Sequence, residues 1–183
     1  MRKLIVASAA TLMVLASPVA ANAEETTCRG QMGSRTVDNL KVPQGASCTL
    51  NGTRVQGTIK VERGASLTAT GVRVIGNVQA ENAASVIMRS SKVGGSVQIV
   101  QGRSARVLSS NVGGDILLDE QRGGLRANGN EIGGSLQAFQ NTGGLEIFRN
   151  SIDGNLQCKE NQPRPTGGGN IVQGNKEDQC ARL

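Results

Sequence analysis

A glycine returns at a near-constant interval through most of this chain, and that interval constrains the fold more than any other feature. Gly57, Gly76, Gly95 and Gly114 stand 19 residues apart, and Gly134, Gly154 and Gly174 continue at spacings of 20. Two residues before each glycine is an aliphatic side chain: Val55, Val74, Val93, Val112, Ile132, Ile152 and Val172. Two residues after it comes another, Ile59, Val78, Val97, Ile116, Leu136 and Leu156, a series broken only by Lys176. A third set of pairs fills the rest of each repeat: Leu67 with Ala69, Val86 with Met88, Ala105 with Val107, Leu125 with Ala127, and Leu145 with Ile147. Within a pair the spacing is that of a strand, one side chain in and the next out. Between pairs the register is broken by Gly, Asn and Ser, which suit tight corners.

A helix is excluded, because glycine recurs in every repeat, many residues are β-branched and no i, i+3, i+4, i+7 series persists. The pattern predicts an all-β fold, a single-stranded parallel β-helix of about six coils of 19–20 residues. Each coil contributes short strands that bond to their equivalents about 4.8 Å away. Apolar spacings within a coil are unequal, as in Val55, Ile59, Val61, Leu67, Ala69 and Val74, and 20 is not a multiple of six. Both points favour a right-handed coil over a left-handed hexapeptide helix. The change from 19 to 20 places one added corner residue between Ile116 and Ile132.

Composition agrees with a narrow interior. The chain has 25 glycines and two Phe, with no Trp or Tyr, whereas a wide globular core of this chain length would draw on large aromatics. Polar residues also fall at the repeat interval. Ser47, Ser66, Ser85 and Ser104 form one expected column, Gln79, Gln98, Gln137 and Gln157 a second, and Asn130, Asn150 and Asn170 a third. Stacked amides of this kind hydrogen-bond along a column.

Residues 1–23 have the layout of a cleaved secretory leader: Arg2 and Lys3, an apolar run from Leu4 to Leu15, then Ala21-Asn22-Ala23. Cleavage after Ala23 and a secreted or periplasmic location are expected. Cys28 lies several residues past that point, which argues against a lipid anchor, and no later segment is long and apolar enough to span a bilayer. The remaining chain divides into an N-terminal cap with the first coil (24–53), the coil repeats (54–157) and a C-terminal cap (158–183). An even cysteine count in an exported chain reads as disulfides. Cys28 with Cys48 and Cys158 with Cys180 is the expected pairing, since the two ends of a column are far apart. A zinc site is the weaker alternative, because no Cys-x-x-Cys pair and no His are present.

Catalytic candidates are few. Without histidine there is no imidazole base, triad or dyad. The best carboxylate cluster is Asp115, Asp119 and Glu120, with Asp153 further along, and it lacks a glycine-rich calcium-loop motif. Loss of Arg2 and Lys3 with the leader lowers the net charge of +6 by two. The remaining basic residues are scattered, and the few aromatics argue against nucleic acid. One basic column stands out: Arg54, Arg73 and Lys92 each precede an aliphatic anchor and should project outward as a face for an acidic glycan or lipid head group. Ice binding is disfavoured, since no Thr-x-Thr ladder recurs along the coils.

Val-Gly-Gly-x-Val and Ile-Gly-Gly-Ser-Leu-Gln, ending in Gly154-Asn155-Leu156-Gln157-Cys158-Lys159-Glu160-Asn161 and Pro165-Thr166-Gly167-Gly168-Gly169-Asn170, resemble small exported bacterial β-helix proteins of unassigned activity. More loosely, the repeats are similar to those of bactofilins, cytoplasmic polymers that grow by stacking uncapped coils; the leader and the bracketing cysteines depart from that pattern. The resemblance implies the fold and carries no catalytic residues. The expectation is a secreted, non-enzymatic envelope or extracellular protein, structural, adhesive or glycan-binding, with no cofactor or metal. Its partner would be an acidic glycan, a cell surface or another protein, and it would be a monomer unless coils associate. A polymer-forming scaffold and a pectate-lyase-like carbohydrate-active enzyme are the alternatives.

Overall fold

The computed structural model describes residues 24–183, so the predicted leader lies outside the described residues. Every described residue in regular structure is in a β-strand, and every strand pairing is parallel. The strands make three sheets. Sheet A is nine-stranded, from Glu25–Thr27 to Lys176–Asp178. Sheets B and C are eight-stranded, from Gly30–Met32 to Thr166–Gly168 and from Thr36–Val37 to Ile171–Val172. One turn passes through Ile59–Val61 in sheet A, Ser66–Thr70 in sheet B and Arg73–Val74 in sheet C. This is the parallel β-helix expected from the repeat.

The periodic aliphatics are the core. Val55, Val74, Val93 and Val112 lie in register in sheet C. Ile59, Val78, Val97, Ile116, Leu136 and Leu156 do so in sheet A, all of them buried. Each such side chain contributes about 1.5–3 kcal/mol on burial, and a thin stack needs nothing larger than Leu or Met.

The column is longer than the repeat count implied, about eight turns rather than six. Segments expected as caps wind into coils: Glu25–Thr27 pairs with Asn39–Val42, Gly30–Met32 with Ser47–Asn51, and Thr36–Val37 with Arg54–Val55. The backbone pairs whatever its side chains are, whereas the aliphatic signature thins at the ends. Thr26, Met32 and Val37 take the inward positions of the first turn, and Gly167, Val172 and Lys176 those of the last.

Both predicted disulfides form, Cys28–Cys48 and Cys158–Cys180, with Cα–Cα distances of 5.7 and 5.2 Å. No cysteine is free, so the thiolate zinc site is ruled out. The chain leaves its last strand in turns, with Cys180 buried in the core and Leu183 packed against it. Lys176, the one break in the aliphatic series, lies in register with Leu156, and its ammonium donates to the carbonyls of Asn170, at 3.0 Å, and Leu183. A lysine suits the final turn because no further coil covers it and its stem can lie over the core while its head reaches polar groups.

Three polar ladders hold the corners together. In the first, Asn130, Asn150 and Asn170 send Nδ2 to the carbonyls of Val107, Ala127 and Ile147 at 2.7–2.9 Å. The Oδ1 atoms of Asn150 and Asn170 accept the backbone N–H of the preceding turn, and the Ser110 and Ser91 hydroxyls extend the line. A second ladder, Gln121, Asn141, Asn161 and Gln179, does the same at the corner between sheets A and B. That corner is where the repeat lengthens: Val100 pairs with Asp119 at a separation of 19, and Ala105 with Leu125 at 20. In the shorter turns its buried residue is Ala65, Ala83 or Gly102; the longer turns admit an amide. Gln121 sits at the junction, and its Oε1 is the one buried side-chain polar atom without a partner among the described residues.

The third ladder explains the glycines. Asn39, Thr58, Asn77, Ser96, Asp115, Ser135 and Asn155 each accept the backbone N–H of the next turn. A Cβ on Gly95 would stand 2.2 Å from Asn77 Oδ1, and one on Gly134 2.2 Å from Asp115 Oδ1. The accepting side chain of one turn fills the space a side chain on the next turn's glycine would need.

Candidate functional site

Strands Arg54–Val55, Arg73–Val74 and Lys92–Val93 each turn the aliphatic residue inward and the basic one out. Arg54, Arg73 and Lys92 are direct register partners and all exposed. The chain brings three positive charges into one line along sheet C, as the sequence predicts. Beyond Lys92 the line continues as Asn111, Glu131 and Ser151, with Asn111 Nδ2 donating to Glu131 Oε2 at 2.8 Å. The ion pairs among the described residues are Lys41 with Glu25 and Glu62, Arg126 with Glu146, and Lys159 with Glu160. None involves the column. Arg89, three residues before Lys92 across the corner, is also exposed and without a carboxylate within ion-pair distance. The sequence reading missed it, because Arg89 ends a sheet B strand and stands outside the repeat position that Arg54, Arg73 and Lys92 share.

The carboxylates do not assemble into a centre. Asp115 is committed to the third ladder, its Oδ1 accepting the Ser135 N–H at 2.7 Å. Asp119 stands on sheet A beside Glu120; burial first, and then the charge of Glu120, push its carboxyl above the ordinary range. Asp153 accepts from Gln173 on another face. Among the described residues no group of three or more metal-ligating side chains converges.

Sheet A carries a groove of about 670 Å³ that the sequence did not reveal. Its floor is the outward row Lys60, Gln79, Gln98 and Leu117, which are register partners, beside Glu81 and Val100. Arg63 and Asn82 at the corner form one wall. Glu62 at its rim accepts from the Lys41 ammonium at 3.1 Å and from the Gln44 N–H; these hold its carboxyl below the usual range and raise Lys41.

The predicted glutamine column is therefore split. Leu117 interrupts it. On one side Gln137 donates to Gln157 and Gln157 to Glu177. On the other, the side-chain amides of Gln79 and Gln98 have no hydrogen-bond partner among the described residues, although they line the groove. The serine column lies in register, but its hydroxyls do not bond to one another; Ser104 Oγ reaches only the Ala84 carbonyl, at 3.4 Å. No helix among the described residues is long and apolar enough to cross a membrane, and the two disulfides are compatible with a periplasmic or extracellular location. No protein-family model, curated protein or solved structure matches this chain.

Proposed function

We propose that this protein is an exported, non-enzymatic binding column of the bacterial envelope or extracellular space, which holds an acidic glycan along its Arg54, Arg73 and Lys92 flank. The observation that carries the reading is the in-register line of three exposed cations with no carboxylate within ion-pair distance among the described residues. Like charges at adjacent strand positions repel, and a linear polyanion lying along the column axis relieves that repulsion at each turn. A rigid stack suits the task, because cations fixed on successive strands lose little freedom when a ligand docks. The absence of histidine and the commitment of Asp115 to a backbone bond support a binding rather than a catalytic role.

A glycan array followed by titration with an acidic oligosaccharide such as a hexagalacturonide tests this. Replacing Arg54, Arg73 and Lys92 together by Ser should weaken binding by about tenfold or more at low ionic strength, and salt should weaken wild-type binding in the same sense. Unchanged affinity in the triple variant would sink the reading.

A polymer-forming scaffold is the second reading. It is favoured by the first turn, where Glu25–Thr27, Gly30–Met32 and Thr36–Val37 are the terminal strands of their sheets, and a terminal strand is a template for further pairing. Sedimentation with and without reductant separates the two, since a binding column stays monomeric while oxidised.

A further inference from the structure

The groove on sheet A has a different chemistry from the cationic flank. Its charged lining is two cations, Lys60 and Arg63, and two carboxylates, Glu62 and Glu81. The formal charges of the lining cancel, in contrast to the three cations of the flank. Glu62 is held by Lys41 and Gln44. Lys60, Arg63 and Glu81 have no ion-pair partner among the described residues.

The two free amides add the second observation. Gln79 and Gln98 occupy the same outward row as Gln137 and Gln157, yet only the latter are tied into an amide chain. Each free amide offers two donor hydrogens and an acceptor oxygen, and the pair is spaced by one coil, about 4.8 Å. Leu117 follows Gln98 in the same row and Val100 lies two residues beyond Gln98 on its strand; both are partly buried and make that end of the groove apolar. The groove thus combines a row of amide donors and acceptors with an apolar end, has a lining whose formal charges cancel, and runs along the column axis across four strands.

We propose that this groove is a second binding site, for a neutral, unbranched oligosaccharide lying along the axis. Sugar hydroxyls both donate and accept, which matches amides and a carboxylate better than a cationic line does. The C–H face of a sugar ring fits Val100 and Leu117. A planar aromatic ligand is a poorer match, because no aromatic side chain lines the groove. The site is independent of the acidic-glycan flank, since it lies on another sheet and shares no residue with it.

The test uses the full secreted chain, isotope-labelled, and neutral hexasaccharides of β-linked glucose, xylose and N-acetylglucosamine at millimolar concentration. The side-chain amide NMR signals of Gln79 and Gln98 should shift with at least one of these probes while those of Gln137 and Gln157 stay in place. The Gln79→Ala/Gln98→Ala variant should bind that probe about tenfold or more weakly, Gln137→Ala should bind it as wild type does, and Arg54→Ser/Arg73→Ser/Lys92→Ser should leave it unaffected. The Gln variants change only outward residues, and a wild-type backbone spectrum shows whether they keep the fold. No shift with any probe, or affinity unchanged in the double Gln variant, overturns the proposal without touching the reading of the cationic flank.

Discussion

Glycine does two different things in this chain, and the difference can be measured one residue at a time. At Gly113 the neighbouring turn is too close: a Cβ would stand 2.4 Å from the Gly94 carbonyl oxygen, and a backbone atom cannot swing aside. At Gly71 nothing lies within 4 Å of the Cβ site, and only the φ of +62° disfavours another residue. Gly113→Ala should therefore cost about 3 kcal/mol through overpacking, and Gly71→Ala about 1 kcal/mol through the left-handed backbone alone. Denaturant midpoints compare the two directly, and equal costs would contradict the close-approach explanation. The periodic glycines were legible in the sequence as a repeat, but their cause was not. It lies in an oxygen atom of the preceding turn, 18 or 19 residues away, and only the stacked register shows that the two meet.

At the scale of the strand and the corner, the ladders set which substitutions the coil tolerates. Asn150 fills one polar position completely: Nδ2 donates to the Ala127 carbonyl and Oδ1 accepts from Asn130. Asn150→Ala leaves a buried carbonyl and a buried N–H unpaired and should cost about 3 kcal/mol. Asn155→Ala, in the half-exposed third ladder, leaves only a water-accessible N–H behind and should cost under about 1 kcal/mol; thermal or chemical unfolding distinguishes the pair. The buried Asn column was visible in the sequence because its members keep a constant offset from the aliphatic anchors. The second column escaped because it begins where the repeat changes length and switches from Ala and Gly to Gln and Asn. Its signal was present in Asn141 and Asn161, each three residues after a buried sheet A position at Ala138 and Cys158. The sheet A groove had no comparable signal, since nothing local distinguishes a bonded glutamine such as Gln137 from a free one such as Gln98.

As a whole, the molecule is a one-dimensional stack in which each turn contacts only its neighbours, so loss of an end should act locally. Cys158→Ser/Cys180→Ser removes a bridge across a sequence separation of 22 and should lower stability by about 3 kcal/mol. Amide hydrogen exchange should then quicken in Thr166–Gly168 and Lys176–Asp178 while Val93 and Val112 keep their protection; uniform loss along the column would show a single cooperative unit instead. The lengthened corner at residues 120–124 carries a further consequence. Turns on either side of it differ by one residue absorbed at the corner, so a deletion that takes in strand residues keeps every inward side chain inward only if it removes a whole turn of the length proper to its own half. Height in such a molecule is quantised, and evolution or an engineer can shorten or extend it like a stack of coins of two denominations, never by a fraction of one.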